Sequence, residues 1–174
     1  LKVKKALGGR GLIVVPCLNP DGCEIAVNGK TALGNMQFSA LRLARKDFSA
    51  FALNARGADI EKVFGTSPLQ EPESTALVNL CKSIKIRHLI TFDKGENRLL
   101  LPELCNVPER SSRMAEIMLT VSKLRLDSEN AAGLCHWFCK EYHRPAFKVL
   151  LSHGDNPLAD YSAIRELMML SAIM

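Results

Sequence analysis

This sequence lacks a block of one charge, a low-complexity segment and an internal repeat. Lys and Arg outnumber Asp and Glu by 23 to 18, a net charge of +5, but the basic residues are scattered from Lys2 to Arg165. Because net charge without a basic patch bears on solubility and non-specific binding, we expect no nucleic-acid partner. Hydrophobic residues make up 47% and charged residues 24% of the chain, a balance that excludes extended disorder.

Signatures of membrane insertion, secretion and serine hydrolysis are also missing. No apolar run approaches the roughly 18 residues of a membrane span, and the N-terminus lacks the apolar core of a signal peptide. No Gly-x-Ser-x-Gly nucleophile elbow occurs, and no glycine-rich phosphate loop follows a predicted strand. We therefore expect a cytoplasmic protein with no membrane partner.

Six cysteines are present, but no pair has the Cys-x-x-Cys spacing of zinc knuckles and redox motifs. Cys135, Cys139 and His143 follow one another at helical spacing. The two end residues of that series would lie about 12 Å apart along the helix axis, too far for one metal ion. We expect reduced, mostly buried thiols at all six positions, namely Cys17, Cys23, Cys81, Cys105, Cys135 and Cys139.

Apolar runs alternate with helical patterns along the chain. Continuous apolar runs predict buried strands at residues 11–19, 87–93 and 146–152. Periodic apolar residues predict helices at 73–85, 112–125, 128–142 and 160–173. Buried strands that alternate with helices predict an α/β domain with a mixed central sheet flanked by helices.

Three short motifs follow one another in a fixed order. They are Asn-Pro-Asp-Gly at 19–22, Asn-Ala-Arg-Gly-Ala-Asp at 54–59 and Gln-Glu-Pro-Glu-Ser-Thr at 70–75. The first is also a run of turn formers. This order resembles the zinc carboxypeptidase family, in its bacterial branch of murein-peptide amidases, which cut the γ-D-glutamyl-diaminopimelate bond. The resemblance implies a zinc-carboxypeptidase-like fold over residues 1–174, with an insertion at 23–53, and these structural motif residues: Asn19, Pro20, Asp21, Gly22, Gly57 and Asp59.

The sequence departs from the family pattern where the family does its chemistry. The family's His-x-x-Glu, which supplies two zinc ligands, would lie before Leu1, so the resemblance implies a chain truncated at its N-terminus. The carboxylate clamp Asn-Arg aligns with Glu61-Lys62, and the general base aligns with Leu150. Lys62 keeps a positive charge without the planar fork of arginine. The resemblance implies that Lys62 and Asn54 bind substrate, and it identifies no catalytic residue in this chain.

Two residues remain as metal candidates. Asp93 stands where the family has its third zinc ligand. His153 lies in Ser-His-Gly-Asp at 152–155, which is similar to the family's His-Gly-Asp-Glu motif, but Asn156 follows where Glu is needed. Because a catalytic zinc needs three protein ligands and an open position, we expect no cofactor, or zinc if the chain is active.

Three functions remain open. The favoured one is a non-catalytic or truncated relative of a murein-peptide amidase that binds a peptide or a protein partner. The alternative is an active zinc-dependent carboxypeptidase acting on cell-wall peptides, with ligands supplied upstream or by an unusual set that includes Asp93 and His153. The third is an interaction module that docks through the basic segment at 36–51, where Arg42 and Arg45 lie.

Overall fold

The fold comes from a computed structural model that describes residues 8, 10–29, 52–64, 71–103, 108–152 and 157–173. The described residues form two compact units, one between Val15 and Ile86 and one from the stretches before Val15 and after Ile86. The single domain expected over 1–174, with an insertion at 23–53, stays a prediction. Residues 30–51 lie outside the described part of the chain.

Helices dominate the described part of the first unit. They are α1 (Pro20–Asn28), α2 (Ile60–Val63) and α3 (Pro72–Ser83). Both longer helices begin with proline, which loses no hydrogen bond at that position because the first N–H groups of a helix have no partner within it. The helix predicted over 73–85 is confirmed as α3.

The strand predicted over residues 11–19 is wrong. Residues 10–19 adopt neither helix nor strand. Leu12, Ile13, Val14 and Val15 are exposed. An apolar run becomes a strand only when a neighbouring strand takes up its backbone N–H and C=O groups, and no strand among the described residues pairs with this one.

A mixed sheet forms the centre of the second unit. Its described strands are β1 (Leu89–Lys94), β2 (Arg98–Leu101), β3 (Arg125–Asn130) and β4 (Ala146–Leu151), in the spatial order β1-β4-β2-β3. β1 is parallel to β4 and β2 to β3, whereas β2 is antiparallel to β4. The strands predicted at 87–93 and 146–152 are confirmed as β1 and β4, and the mixed sheet confirms the predicted α/β class.

Strand β3 corrects the helix predicted over 128–142. It lies at the edge of the sheet and most of its residues are exposed, so its polar sequence carries little of the apolar alternation that marks a strand. The helix there, α5, spans only Gly133–Tyr142. β2 was not predicted either, because four residues are too few to separate a strand from an apolar loop.

Helices cover both faces of the sheet. α4 (Pro108–Val121) and α6 (Pro157–Ile173), predicted over 112–125 and 160–173, share a core with one face. α5 packs against β1 and β4. Because side chains alternate across a strand, Phe147 and Val149 of β4 point into this core. Lys148 and Leu150 point to the opposite face of the sheet. The core between these two helices and the sheet contains Leu99, Met114, Ala115, Met118, Leu124, Phe147, Val149 and Leu167.

The cysteine prediction holds for part of the set. Cys81, Cys135 and Cys139 are buried and form no disulfide, as expected, but Cys17 and Cys23 are exposed. The expectation of burial fails at Cys17 because the strand that was to enclose it does not form, and at Cys23 because this residue lies on the exposed side of α1. Cys105 lies outside the described residues. No described helix has the length and apolar character needed to cross a membrane.

Candidate functional site

Asn54 is the centre of a hydrogen-bonded loop that precedes α2. Its side chain is buried, at 1% exposure, and Nδ2 donates to Oε2 of Glu71 at 2.6 Å. The carboxylate of Glu73 lies 3.3 and 3.4 Å from the same nitrogen. Oδ1 accepts from the backbone N–H groups of Arg56 and Ala58, both at 3.0 Å. Asn54 therefore closes the loop on itself and ties it to the start of α3.

The Asn-Pro-Asp-Gly motif at 19–22 joins α1 to the same loop. Oδ1 of Asn19 accepts from the N–H of Gly22 at 3.0 Å, which caps α1. Pro20 takes the first helical position. Oδ2 of Asp21 accepts from the N–H of Ala55 at 2.8 Å. The motif thus opens a helix rather than forming a free turn.

Gly57 and Asp59 shape the end of this loop. Gly57 has φ of +77° and donates its N–H to the carbonyl of Asn54 at 2.9 Å, a conformation that favours glycine. Asp59 caps α2 by accepting from the N–H of Glu61 at 3.1 Å. Its other oxygen lies 3.1 Å from Nζ of Lys62, which is 84% exposed. The ammonium of Lys62 is therefore well solvated, and such pairs contribute little to stability.

These contacts bear on the two residues expected to bind substrate. The side-chain amide of Asn54 is occupied by backbone N–H groups of its loop and by Glu71 at the start of α3, whereas Lys62 stays accessible from solvent. Their binding role stays a prediction. What the structure assigns to Asn54 is the positioning of the loop that leads into α2.

Asp93 lies near the end of β1, beside β4. Its Oδ2 is 3.2 Å from Nζ of Lys148, and its Oδ1 accepts from the N–H of Lys94 at 2.8 Å. The side chain of Asp93 is 58% exposed and that of Lys148 only 16%. Both carboxylate oxygens therefore have partners within the sheet, and the charge of Asp93 is balanced by a largely buried ammonium.

The described surroundings of Asp93 do not fit a catalytic zinc site. Such a site needs three protein ligands, and within the described ranges no three Cys, His, Asp or Glu side chains are grouped to hold one ion. The charged partner of Asp93 is Lys148, and an ammonium at that distance repels a divalent cation. His153, the other metal candidate, lies outside the described residues, so its role stays a prediction.

Leu150 occupies the position that the family resemblance assigns to the general base. It is 8% exposed and stands in register with Asp93 on one side and Arg98 on the other. A Cβ added to Gly95 would lie 2.9 Å from Cβ of Leu150, so the loop after β1 packs closely on this side chain. A leucine has no atom that accepts a proton, so this position supplies no base.

Sequence reasoning missed two features, Lys148 and the pair formed by Cys17 and Cys23. Lys148 is the single charged residue in the apolar strand β4, and a charge in such a strand requires a nearby partner. The sulfur atoms of Cys17 and Cys23 lie 3.2 Å apart. Their signal was a spacing of six residues, which differs from the Cys-x-x-Cys spacing of zinc and redox motifs. The basic segment at 36–51 lies outside the described residues, so docking through Arg42 and Arg45 stays a prediction.

Comparison with known proteins places this fold. No protein-family model matches the chain. A metallo-carboxypeptidase from Burkholderia cenocepacia superposes with a TM-score of 0.60 at 16% identity, over 91% of this chain and 43% of that one. The class of fold is therefore that of a metallo-carboxypeptidase.

Two curated bacterial proteins are similar in sequence. The uncharacterised protein YqgT of Bacillus subtilis (strain 168) is 26% identical over 181 residues, which cover 88% of this chain and 48% of YqgT. Gamma-D-glutamyl-L-diamino acid endopeptidase 1 of Lysinibacillus sphaericus is 29% identical over 174 residues, covering 84% of this chain and 43% of the endopeptidase. The chain spans about half the length of these relatives. Together these similarities support the resemblance to zinc carboxypeptidase-like murein peptidases, at modest identity, and the resemblance stated from the motifs is confirmed.

Proposed function

We propose that this chain is a non-hydrolytic relative of the murein peptidases that binds a cell-wall peptide without cutting it. The observation that supports the proposal is the pairing of Asp93 with Lys148 at 3.2 Å. Leu150 stands in register beside Asp93. At these positions the sheet offers neither a free set of zinc ligands nor a group that takes a proton from water.

The exposed ammonium of Lys62 supports binding of a peptide that carries carboxylates. Lysine provides a point charge, which attracts a carboxylate without the two-bond geometry of arginine. The name of the Lysinibacillus relative specifies a γ-D-glutamyl-L-diamino acid bond, so a peptide of this chemistry is the proposed ligand. Asn54 acts in this proposal by holding the loop that leads into α2. We also propose a cytoplasmic location.

The test separates binding from hydrolysis. The purified chain is incubated with a γ-D-glutamyl-L-diamino acid peptide, once with added zinc and once with chelator, and products are followed by liquid chromatography and mass spectrometry. Calorimetry in chelator measures binding of the same peptide. We expect binding without products, and a several-fold loss of affinity in Lys62→Glu, on the scale of about 1 kcal/mol for exposed charge pairs.

Lys82→Glu is the matched control, because Lys82 is an exposed lysine on α3 in the same unit. An equal loss of peptide affinity in both variants would show that the effect of Lys62→Glu comes from the change in net charge alone. Hydrolysis that requires zinc and disappears in Asp93→Asn would overturn the proposal and favour an active zinc carboxypeptidase, with its other ligands outside the described residues. Absence of both binding and hydrolysis would overturn the choice of ligand.

A further inference from the structure

Two exposed thiols lie side by side at the start of α1. The sulfur atoms of Cys17 and Cys23 are 3.2 Å apart and joined by a hydrogen bond. Both side chains are exposed, whereas the other described cysteines are buried. Disulfide exchange requires two sulfur atoms that approach each other and a route for a small oxidant. This pair meets both conditions.

The backbone holds the two sulfur atoms together. Pro16 and Pro20 flank the short segment that carries Cys17, and each fixes its own φ. Cys23 lies in the first turn of α1, where the helix N-terminus is capped by Asn19. Side chains of a helix tilt towards its N-terminus, which turns the sulfur of Cys23 back towards Cys17. The proximity therefore comes from the folded helix start.

We propose that Cys17 and Cys23 form a modification site, which a small-molecule disulfide such as oxidised glutathione converts into a reversible intramolecular disulfide. The inference is independent of the proposed peptide binding. Its structural consequence is a covalent ring from Cys17 to Cys23, which holds the Asn-Pro-Asp-Gly motif against the first turn of α1. Asp21, which ties α1 to Ala55, lies inside that ring.

The chemistry proceeds in two exchanges. The thiolate of Cys17 attacks one sulfur of oxidised glutathione, the S–S bond of glutathione breaks, and one glutathione leaves as a thiolate that takes up a proton. Cys23 then gives its proton to solvent and attacks the sulfur of Cys17, which releases the second glutathione. Two protein thiols are oxidised by two electrons, and one small disulfide is reduced to two thiols.

We assign the first attack to Cys17, because the hydrogen bond between the two sulfurs acts on the thiol of Cys23. That bond, together with partial burial and the neighbouring charge of Cys17, raises the pKa of the Cys23 thiol. Cys23 thus holds its proton to higher pH than an ordinary cysteine thiol. Burial raises the pKa of the Cys81 thiol, and a buried thiol is also shielded from the oxidant.

The experiment equilibrates the whole purified chain with mixtures of reduced and oxidised glutathione, blocks free thiols with maleimide, and analyses tryptic peptides by mass spectrometry. Trypsin cleaves after Arg10 and Lys30, so one peptide contains both cysteines. We expect this peptide to lose two hydrogen atoms and to escape maleimide, while Cys81, Cys135 and Cys139 stay reduced. The native chain should favour the disulfide by at least about tenfold over the urea-unfolded chain, because folding raises the effective thiol concentration.

Variants test the geometry. Cys23→Ser should collect a mixed glutathione disulfide on Cys17. The matched control moves the second thiol one residue along, with Cys23→Ser and Glu24→Cys combined, which turns it by about 100° around the helix at nearly the same loop length. This variant should lose the preference seen in the native chain. The proposal would be overturned if the relocated pair were oxidised as readily as the native pair. It would also be overturned by equal equilibrium constants for disulfide formation with and without urea, or by glutathione adducts in place of the intramolecular disulfide.

Discussion

The carboxylate of Asp93 and the ammonium of Lys148 lie 3.2 Å apart on neighbouring parallel strands, and the lysine is the more deeply buried partner. The side chain of Lys148 is 16% exposed and lies on the face of β4 opposite to that of Phe147 and Val149. Because a largely buried ammonium is stabilised by a counter-charge, the carboxylate of Asp93 contributes to the stability of the sheet. A structural role thus accounts for an acidic residue at the end of β1.

Asp93→Asn should lower the free energy of unfolding by about 1–2 kcal/mol, because it removes the carboxylate charge that faces the ammonium of Lys148, while the partial exposure of Asp93 limits the cost. Urea unfolding of the single variant measures the loss. Asp93→Asn combined with Lys148→Met removes both charges and should recover most of it. Strictly additive losses in this double-mutant cycle would show that the two residues do not interact.

Zinc should not bind the chain at one ion per molecule. The charge of Asp93 is already balanced, and a catalytic zinc requires two further protein ligands. Metal content by mass spectrometry, paired with a zinc titration followed by thermal melting, measures this directly. About one zinc per chain, with a melting shift that Asp93→Ala or His153→Ala abolishes, would contradict the expectation, since a ligand that binds only the folded state must raise its stability.

Asn54→Ala should be among the more destabilising changes in the first unit, with a loss of about 2–4 kcal/mol. It removes the hydrogen bonds of a buried side chain to Glu71, Glu73 and two backbone N–H groups, and leaves the carboxylate of Glu71, itself 9% exposed, without the amide donor. Asn79→Ala on the exposed face of α3 is the matched control and should change stability by less than about 0.5 kcal/mol. A loss in Asn54→Ala no larger than in Asn79→Ala would contradict the role of Asn54 in closing the loop.

The contrast between β4 and residues 11–19 shows where sequence reasoning succeeds and fails. Both are continuous apolar runs, and both were predicted as buried strands. β4 is a strand because β1 and β2 pair with its two edges, whereas residues 11–19 have no such partner among the described strands. An apolar run indicates that a segment can be buried, but the strands that must pair with it come from distant parts of the chain.

The candidate site shows the same division. The motifs at 19–22 and 54–59 indicated that these segments belong together, and Asp21 contacts Ala55 in the structure. The pairing of Asp93 with Lys148 was not predictable, because it depends on which strands are neighbours. The same holds for the two sulfurs of Cys17 and Cys23, which required knowing that Cys23 lies on the first helical turn rather than in a turn after a strand.

His88 gives the second unit a pH dependence. Burial chiefly lowers its pKa from 6.5, and the positive charges of Arg110, Arg87 and Arg10 act in the same direction, while a hydrogen bond with the backbone of Ser171 opposes them. The folded chain therefore binds a proton at His88 less readily than the unfolded chain. Stability from the neutral ring is present above pH 6.5 and is lost as the pH falls below that value, down to the lowered pKa of the folded state.

His88→Gln should flatten this part of the stability profile, because an amide of similar reach does not titrate. Urea unfolding between about pH 8 and pH 5, the range in which histidine changes charge, compares the variant with the unmodified chain. His143→Asn is the matched control, since His143 is exposed and holds a positive φ of 51° that asparagine tolerates. We expect the control to keep the loss of stability below pH 6.5 and His88→Gln to remove it. The reverse pattern would place the acid sensitivity at His143, and a loss retained in both variants would place it at another titrating group.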